Sequence, residues 1–153
     1  MHSLVRSIFL FACESLTLTA ELQRRIQAME MRCYRKVLRI SYKDHVTNEE
    51  VRAKIQQEIG PHEDLLTFVK RRQLQWYGHV SRSSGLAKSI LQGIVKGGRR
   101  QGGQRKRWED NIREWTDLEF SKSQSSVENR EKWRKLVAKL SVVPQRRSQL
   151  RDR

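Results

Sequence analysis

The chain has 153 residues and a net charge of +15, from 32 Lys and Arg against 17 Asp and Glu, and 37% of its residues are hydrophobic. This length excludes anything larger than one domain with a modest core or two small helical units, and the composition is too apolar for a fully disordered chain. So large a positive charge disfavours compaction unless an anionic partner neutralises it, which makes nucleic acid the leading candidate partner.

Residues 1–19 contain an apolar stretch that predicts a core-facing helix. The apolar run over 8–13 is too short to span a membrane and at or below the lower limit of a signal-peptide core, so a signal peptide is the weaker alternative. Cys13 and Cys33 fit neither a disulfide framework nor a metal-binding spacing, which indicates a reducing compartment. We therefore expect an intracellular protein of the nucleus or cytoplasm that is not secreted and has no membrane partner.

The segment 20–40 has the clearest helical pattern, and Thr19 is a suitable N-cap. Its apolar residues recur at spacings of three and four and form one stripe, which consists of Leu22, Ile26, Met29, Cys33, Val37 and Ile40. Its basic residues form a separate stripe, which consists of Arg24, Arg25, Arg32, Arg35, Lys36 and Arg39. The apolar stripe predicts a packing face. The basic stripe is either a solvated surface or a binding face, and the pattern leaves both open.

A second helix is predicted from the signals at its two ends. A capping box from Thr47 to Glu50 opens it, because the hydroxyl and the carboxylate can each accept a hydrogen bond from the other residue's backbone N–H. Gly60 and then Pro61 end it, since glycine adopts the left-handed conformation that often closes helices.

A third, longer helix is predicted to follow directly. Pro61 can open it, and Glu63 and Asp64 would then lie in its first turn near the positive end of the helix dipole. Its apolar pattern continues to Val80, with an interruption expected near Gly78. A shorter amphipathic segment over 86–95 completes a helical basic region over 20–95.

Residues 108–143 predict a C-terminal helical pair, followed by a frayed tail over 144–153. The first helix has apolar residues at helical spacing, namely Trp108, Ile112 and Trp115. A capping box from Ser125 to Glu128 is predicted to open the second helix, whose inward residues are Trp133, Leu136, Val137 and Leu140. The expected fold is mainly α, a small irregular helical bundle with a flexible basic glycine-rich loop over 96–107 and this C-terminal pair.

Basic residues beside aromatic ones make up the predicted binding site. Residues 96–107, KGGRRQGGQRKR, carry six basic and no acidic side chains on a glycine-rich backbone, and residues 71–82 combine arginines with aromatic rings. Arginine forks and lysines suit phosphates and a neighbouring aromatic ring can stack on an unpaired base, which predicts binding to RNA or DNA with weak sequence specificity. The predicted residues are Arg71, Arg72, His79, Arg82, Lys96, Arg99, Arg100, Arg105, Lys106, Arg107 and Trp108.

Each part of this predicted site has a simpler alternative. The basic loop could be an interdomain linker or a nuclear-localisation run. Trp108 is in helical register with Ile112 and could pack in a core instead of meeting a base. His79 is a lone histidine, and such residues are usually surface groups or hydrogen-bonded core groups.

Catalysis has no visible site in this sequence. The four histidines are scattered and neither cysteine has a partner at zinc spacing. The aspartates are dispersed, and the sequence lacks a phosphate-binding glycine motif, a nucleophile elbow and the adjacent aspartate pair that holds two metal ions in polymerases. We therefore expect no catalytic residue, no metal site and no cofactor.

Four segments of the chain together resemble the sequences of one known protein family. They are SIFLFACESLTL at 7–18, LQRRIQAMEMRCYRKVLRISYKDHVTNEEVR at 22–52, RRQLQWYGHVSR at 71–82 and GGRRQGGQRKRWEDNIREWT at 97–116. In order and spacing they are similar to the C-terminal, post-thumb region of the endonuclease and reverse-transcriptase polyprotein of non-LTR retrotransposons. The resemblance covers nearly the whole chain, and its most specific part is WYGHV combined with a glycine-rich basic run into RKRWED.

The resemblance implies a fragment that lies beyond both catalytic domains of such a polyprotein. Residues 1–19 would be a remnant of the upstream polymerase region. The stretches 71–82 and 99–108 would make accessory nucleic-acid contacts during target-primed reverse transcription, without polymerase activity. Relatives usually have Gly-Arg-Pro where this chain has Gly102, Gly103 and Gln104, so one cation and one rigid turn are missing, which weakens the transfer of binding function.

Two other hypotheses compete with a binding fragment. The chain could be an inert or protein-interacting helical remnant, whose apolar stripes once packed against a thumb domain that is now missing. An apolar stripe left exposed in this way could also drive self-association. A small self-standing nuclease is the least favoured hypothesis, because no metal-holding carboxylate pair is visible.

Overall fold

The computed structural model describes residues 10–91, 102 and 106–140 of the chain. This part contains seven α-helices, two short 3-10 turns at Cys13–Ser15 and Tyr42–Asp44, and no strand, which confirms the predicted mainly α fold. The helices are α1 (Ala20–Val37), α2 (Asn48–Ile59), α3 (Leu65–Arg82), α4 (Leu86–Leu91), α5 (Trp108–Thr116), α6 (Phe120–Glu128) and α7 (Arg130–Leu140).

Helix α3 lies at the centre of the fold and packs against the N-terminal 3-10 turn, α1, α4, α6 and α7. Its buried apolar side chains supply much of the main core, and they are Leu65, Leu66, Val69, Leu74, Tyr77 and Val80. A smaller second core joins α1 to α2 and consists of Met31, Tyr34, Val51 and Ile55. The described fold is therefore a bundle around one central helix, with α2 attached through its own apolar cluster.

Helix α1 begins where the sequence predicts and ends earlier. The Thr19 hydroxyl accepts a hydrogen bond from the Leu22 N–H at 3.2 Å, so the predicted N-cap is confirmed. The helix stops at Val37 instead of residue 40, because Arg39 adopts a left-handed conformation (φ 55°) and the Ile40 N–H turns back to the Arg35 carbonyl at 2.9 Å.

The buried face of α1 is also rotated from the predicted stripe. Ile26 is buried as expected, but Val37 is 48% exposed, and Glu30, Met31 and Tyr34 are buried instead. The reason is that α1 packs on both α2 and α3, so it buries two neighbouring faces. A single apolar stripe cannot describe a helix with two partners.

Helix α3 begins at Leu65, so the prediction that Pro61 opens it is wrong. Asp64 is the N-cap, with its carboxylate accepting a hydrogen bond from the Thr67 N–H at 3.1 Å. The capping box from Thr47 to Glu50 and the terminating Gly60 of α2 are confirmed. The expected interruption at Gly78 is wrong as well, because α3 is continuous through that position to its end.

The N-terminal segment is not the predicted helix where the structure describes it. Residues 10–19 form a turn, the short 3-10 turn and an extended stretch, and residues 1–9 lie outside the described part. Gln73 of α3 holds this segment, since its amide nitrogen donates to the Cys13 carbonyl at 2.7 Å and to the Leu16 carbonyl at 3.0 Å. Cys13 and Leu18 are fully buried as a result.

Three helices replace the predicted C-terminal pair. Ser125 lies inside α6 and donates to the Lys122 carbonyl at 3.0 Å, so the predicted capping box there is wrong. Asn129 caps α7 instead, with its side-chain oxygen accepting from the Lys132 N–H at 3.0 Å. Trp133 is buried, as predicted. The segment 92–95, most of the basic loop and the tail from 141 onward lie outside the described residues.

Candidate nucleic-acid interface

An open groove of about 890 Å³ lies between α3 and α7, and we call it the α3–α7 groove. Its lining residues on the α3 side are Arg71, Gln75, His79, Arg82 and Ser83, and those on the α7 side are Arg130, Trp133, Arg134, Val137 and Ala138. Both sets recur at spacings of three and four, so each helix contributes one continuous face.

The α3–α7 groove is strongly cationic. Four arginines and one histidine line it, and none of the described residues in its wall is Asp or Glu. Burial lowers the pKa of the Arg82 guanidinium from its ordinary value, and the positive charge of Arg130 lowers it further. Arginine keeps its charge at neutral pH even so, because the ordinary pKa of a guanidinium lies far above neutral pH.

Arg71 and Arg82 are held in place by contacts at the edge of the groove. Arg71 forms an ion pair with Glu63 at 2.6 Å, and its guanidinium lies 5.0 Å from the centre of the Phe68 ring. Arg82 donates a hydrogen bond to the Val127 carbonyl of α6 at 3.0 Å. Both side chains are half-buried, so less conformational entropy is lost when they bind a ligand than for free arginines.

Arg130 and Arg134 are groove residues that the sequence reasoning missed. They lie four residues apart on α7, on either side of Trp133, and both are exposed. Residues 108–140 have equal numbers of basic and acidic side chains, so their net charge gave no signal. The spacing of the two arginines around a buried tryptophan was visible in the sequence, but the position of α7 beside α3 was not.

Arg72 points away from the α3–α7 groove. Its Nε donates to the Glu14 carboxylate at 2.5 Å, which ties α3 to the N-terminal turn. Consecutive residues on a helix differ in direction by about 100°, and here Arg71 faces the groove while Arg72 faces the N-terminal turn. Of the predicted residues on α3, the structure therefore brings together Arg71, His79 and Arg82.

The end of the basic loop lies at the start of α5 and does not line the α3–α7 groove. Lys106 forms an ion pair with Glu114, and Arg107 is exposed. Trp108 is half-buried, donates its indole N–H to the Glu14 carbonyl at 2.9 Å, and meets Trp76 edge-on with ring centres 5.5 Å apart. The other predicted loop residues, Lys96, Arg99, Arg100 and Arg105, lie outside the described part of the chain.

Neither a metal site nor a membrane span is found in the described ranges. Among residues 10–91, 102 and 106–140, no group of three His, Cys, Asp or Glu side chains is placed to hold a metal ion. No helix in those same ranges is long and apolar enough to cross a bilayer. Comparison with protein-family models, with curated proteins and with solved structures gives no match to this chain.

Proposed function

We propose that this chain binds single-stranded RNA or DNA non-specifically and without catalysis, with the phosphates held in the α3–α7 groove. The observation that carries this proposal is a wall of four arginines and His79 in which no described residue is acidic. Guanidinium groups bind phosphate oxygens through paired N–H donors, and these contacts are stronger than neutral hydrogen bonds.

The spacing of the arginines along the groove suits an extended strand of phosphates better than a single anion. Arg71 and Arg82 are about 16 Å apart along the axis of α3, as the rise of an α-helix requires for eleven residues. Arg130 and Arg134 add two exposed cations on the opposite wall. A chain of phosphates lying along the groove can therefore meet several guanidinium groups at once.

The burial of Trp133 in the α3–α7 groove supports weak sequence specificity. Trp133 is buried, and its indole N–H is already bonded to the Leu74 carbonyl at 3.0 Å. It therefore supplies a floor for the groove and not a stacking surface. Contacts to phosphates position a nucleic acid but do not read its sequence.

The retroelement origin is part of the same proposal and is supported by the sequence resemblance alone. In this reading the chain corresponds to the C-terminal, post-thumb region of a non-LTR retrotransposon polyprotein, acts in the nucleus or cytoplasm, and contributes binding without turnover. The basic loop, with Lys96, Arg99, Arg100 and Arg105, would extend the contacts made by the groove. Purified protein with Mg²⁺ should neither cleave an oligonucleotide nor extend a primer.

The binding proposal can be tested on α7 with a matched pair of variants. Arg130→Glu/Arg134→Glu reverses two charges in the groove, whereas Lys132→Glu/Lys135→Glu makes the same charge change at exposed positions of α7 outside it. Fluorescence anisotropy with labelled single strands should show at least a tenfold loss of affinity for the first variant, and about threefold or less for the second. Equal losses of affinity in the two variants would show that binding depends on net charge and not on the position of the arginines in the groove. Absence of binding by the unmodified chain would favour the protein-interacting or inert remnant.

A further inference from the structure

A second cationic groove, of about 610 Å³, lies between α1 and α2, and we call it the α1–α2 groove. Its lining residues are Arg24, Gln27, Ala28, Met31, Arg32, Arg35, Lys36, Ile40, Asn48 and Arg52. Five of them are cations, and none of these described lining residues is acidic. The α1–α2 groove shares no lining residue with the α3–α7 groove.

The walls of the α1–α2 groove are fixed relative to each other. The small core of Met31, Tyr34, Val51 and Ile55 joins the two helices beneath it. Across the groove, the Arg35 guanidinium donates to the Val46 carbonyl at 2.7 Å and to the Asn48 side-chain oxygen at 3.0 Å. The remaining cations are therefore presented on a rigid support, which lowers the entropy that a ligand must overcome on binding.

The chemistry of the α1–α2 groove favours a nucleic-acid backbone over an acidic protein. Four of its five cations are arginines, whose planar forks match phosphate oxygens, and Gln27 adds an amide that can hydrogen-bond to a sugar or a base edge. Protein partners usually need an accessible apolar anchor at the centre of an interface. Here Met31 is buried and Ile40 is half-buried, so neither large apolar side chain in the lining is fully exposed as an anchor.

The spacing of these cations also suits an extended polyanion. Arg24 and Lys36 are about 18 Å apart along α1, from the helical rise over twelve residues. Like charges held this closely destabilise a fold unless an anion neutralises them. A strand of phosphates meets all of them in turn, whereas a small anion meets one or two.

We propose that the α1–α2 groove holds a second single strand, so that one chain carries two strands at once and accelerates the annealing of complementary strands. The first strand rests on the function proposed above for the α3–α7 groove. Two strands on one chain are at a high effective concentration relative to each other. The basic side chains that contact them reduce the repulsion between their phosphates. Annealing then proceeds without any covalent step.

The test measures annealing and stoichiometry together. Complementary oligonucleotides with donor and acceptor dyes report pairing by energy transfer, and titration of a non-complementary strand into the chain reports how many strands it binds. We expect two strands per chain and faster annealing with the full chain. Arg24→Glu/Arg32→Glu should reduce the stoichiometry to one and remove the acceleration, while the affinity for the remaining strand changes by about threefold or less.

The control reverses two charges near the same helices but outside the groove. Lys43→Glu/Lys54→Glu changes two exposed lysines and should keep both the second strand and the acceleration. One strand per unmodified chain, or full acceleration by Arg24→Glu/Arg32→Glu, would overturn this inference and leave the α3–α7 proposal standing. Displacement of the second strand by poly-glutamate at equal charge concentration would also overturn it, in favour of an acidic protein. Absence of all strand binding would overturn both proposals.

Discussion

Gly78 of α3 and Trp133 of α7 are in direct contact, and the contact requires the absence of a side chain on Gly78. A Cβ atom at position 78 would lie 2.7 Å from Cδ1 of the indole, closer than real contacts allow. The indole N–H donates to the Leu74 carbonyl one turn earlier, at 3.0 Å. This pair fixes α7 on α3, and so it places Arg130 and Arg134 opposite Arg71 and Arg82.

Replacing Gly78 with alanine should therefore destabilise the fold. In an exposed helix, Gly→Ala gains about 1 kcal/mol from helix propensity, but forcing a methyl group into a filled site costs about 1–3 kcal/mol. We expect a net loss in the free energy of unfolding, measured with urea, and weaker oligonucleotide binding because α7 is displaced. As a control for stability, Gln75→Ala at an exposed position of the same helix should leave the free energy of unfolding close to that of the original chain. A Gly78→Ala variant that is more stable than the original chain would show that the contact is loose.

Local signals in the sequence predicted some of the helix ends, whereas contacts between elements were not predictable. The cap at Thr19 and the box from Thr47 to Glu50 depend on residues three apart, and both are confirmed. Gly78 gives the opposite case: its propensity indicates a break, but its function is to let Trp133 approach, which depends on a residue 55 positions away. Tertiary packing overrides helix propensity at such positions.

At the predicted site, too, the sequence indicated residues within one helix but not which helices lie side by side. Arg71, His79 and Arg82, which were selected by charge and aromatic content, line one groove. Arg72 was included with them because composition does not distinguish the faces of a helix. Arg134 was missed because its partners lie on another helix, and no periodic pattern reports which two helices meet.

Glu30 provides a second test of the fold, because a buried carboxylate joins α1 to the first residue of α3. It accepts hydrogen bonds from the Tyr34 hydroxyl at 2.9 Å and from the Leu65 N–H at 2.8 Å. Glu30→Ala should lower the free energy of unfolding by about 1–3 kcal/mol, because a buried donor at Leu65 loses its acceptor. Glu30→Gln keeps an acceptor oxygen and should lose less than half as much. Equal losses for the two variants would indicate a packing effect.

The ion pair between Glu14 and Arg72 predicts a pH-dependent stability. Burial raises the pKa of the Glu14 carboxyl, but the hydrogen bond from Arg72, a backbone hydrogen bond and the charge of Arg72 together outweigh burial, so the pKa is lowered from the ordinary 4.5. A lowered folded-state pKa stabilises the fold above about pH 4.5, and this contribution is lost as the pH falls through the folded-state pKa.

We therefore expect Arg72→Met to reduce the free energy of unfolding most at pH 6–7 and least near pH 3, with denaturant melts across that range as the measurement. Arg25→Met removes an exposed pair with Glu21 on α1, and it should cost little at any of these pH values. A constant difference between the original chain and Arg72→Met would contradict the assignment. Because Arg72 lies outside the α3–α7 groove, its loss should also weaken oligonucleotide binding less than Arg134→Met.

The salt dependence of oligonucleotide affinity distinguishes phosphate contacts in the α3–α7 groove from attraction by the net charge of the chain. Each phosphate neutralised by a bound cation contributes about 0.7 to the slope of the logarithm of affinity against the logarithm of salt concentration for a single strand. Arg130→Gln/Arg134→Gln should therefore reduce the magnitude of the slope by about 1.4, with similar changes for purine and pyrimidine strands. Lys132→Gln/Lys135→Gln should leave the slope close to that of the original chain. A strong dependence on base composition would contradict binding through phosphates.

Exposed apolar residues and the net positive charge together predict when the isolated chain associates with itself. Phe11 is 86% exposed, and Leu86 and Ile90 of α4 are exposed as well. Of the α1 stripe expected to drive self-association, Ile26 is buried but Val37 is 48% exposed. An apolar surface of this kind favours association when salt or a polyanion screens the positive charge. Leu86→Ser/Ile90→Ser should therefore reduce light scattering at moderate salt.

The same charge should make nucleic acid a stabiliser of the fold. A ligand that binds only the folded state, present at a hundred times its Kd, adds about 2.7 kcal/mol, which corresponds to a rise of roughly 5–10 °C in Tm for a chain of this size. We expect that rise for the Leu86→Ser/Ile90→Ser variant with a single-stranded oligonucleotide, measured by circular dichroism. Arg130→Glu/Arg134→Glu in the same background should show a smaller rise, because one strand site is lost. An unchanged Tm with and without oligonucleotide would mean that the cationic grooves are solvated surfaces, and that the fold does not depend on an anionic partner.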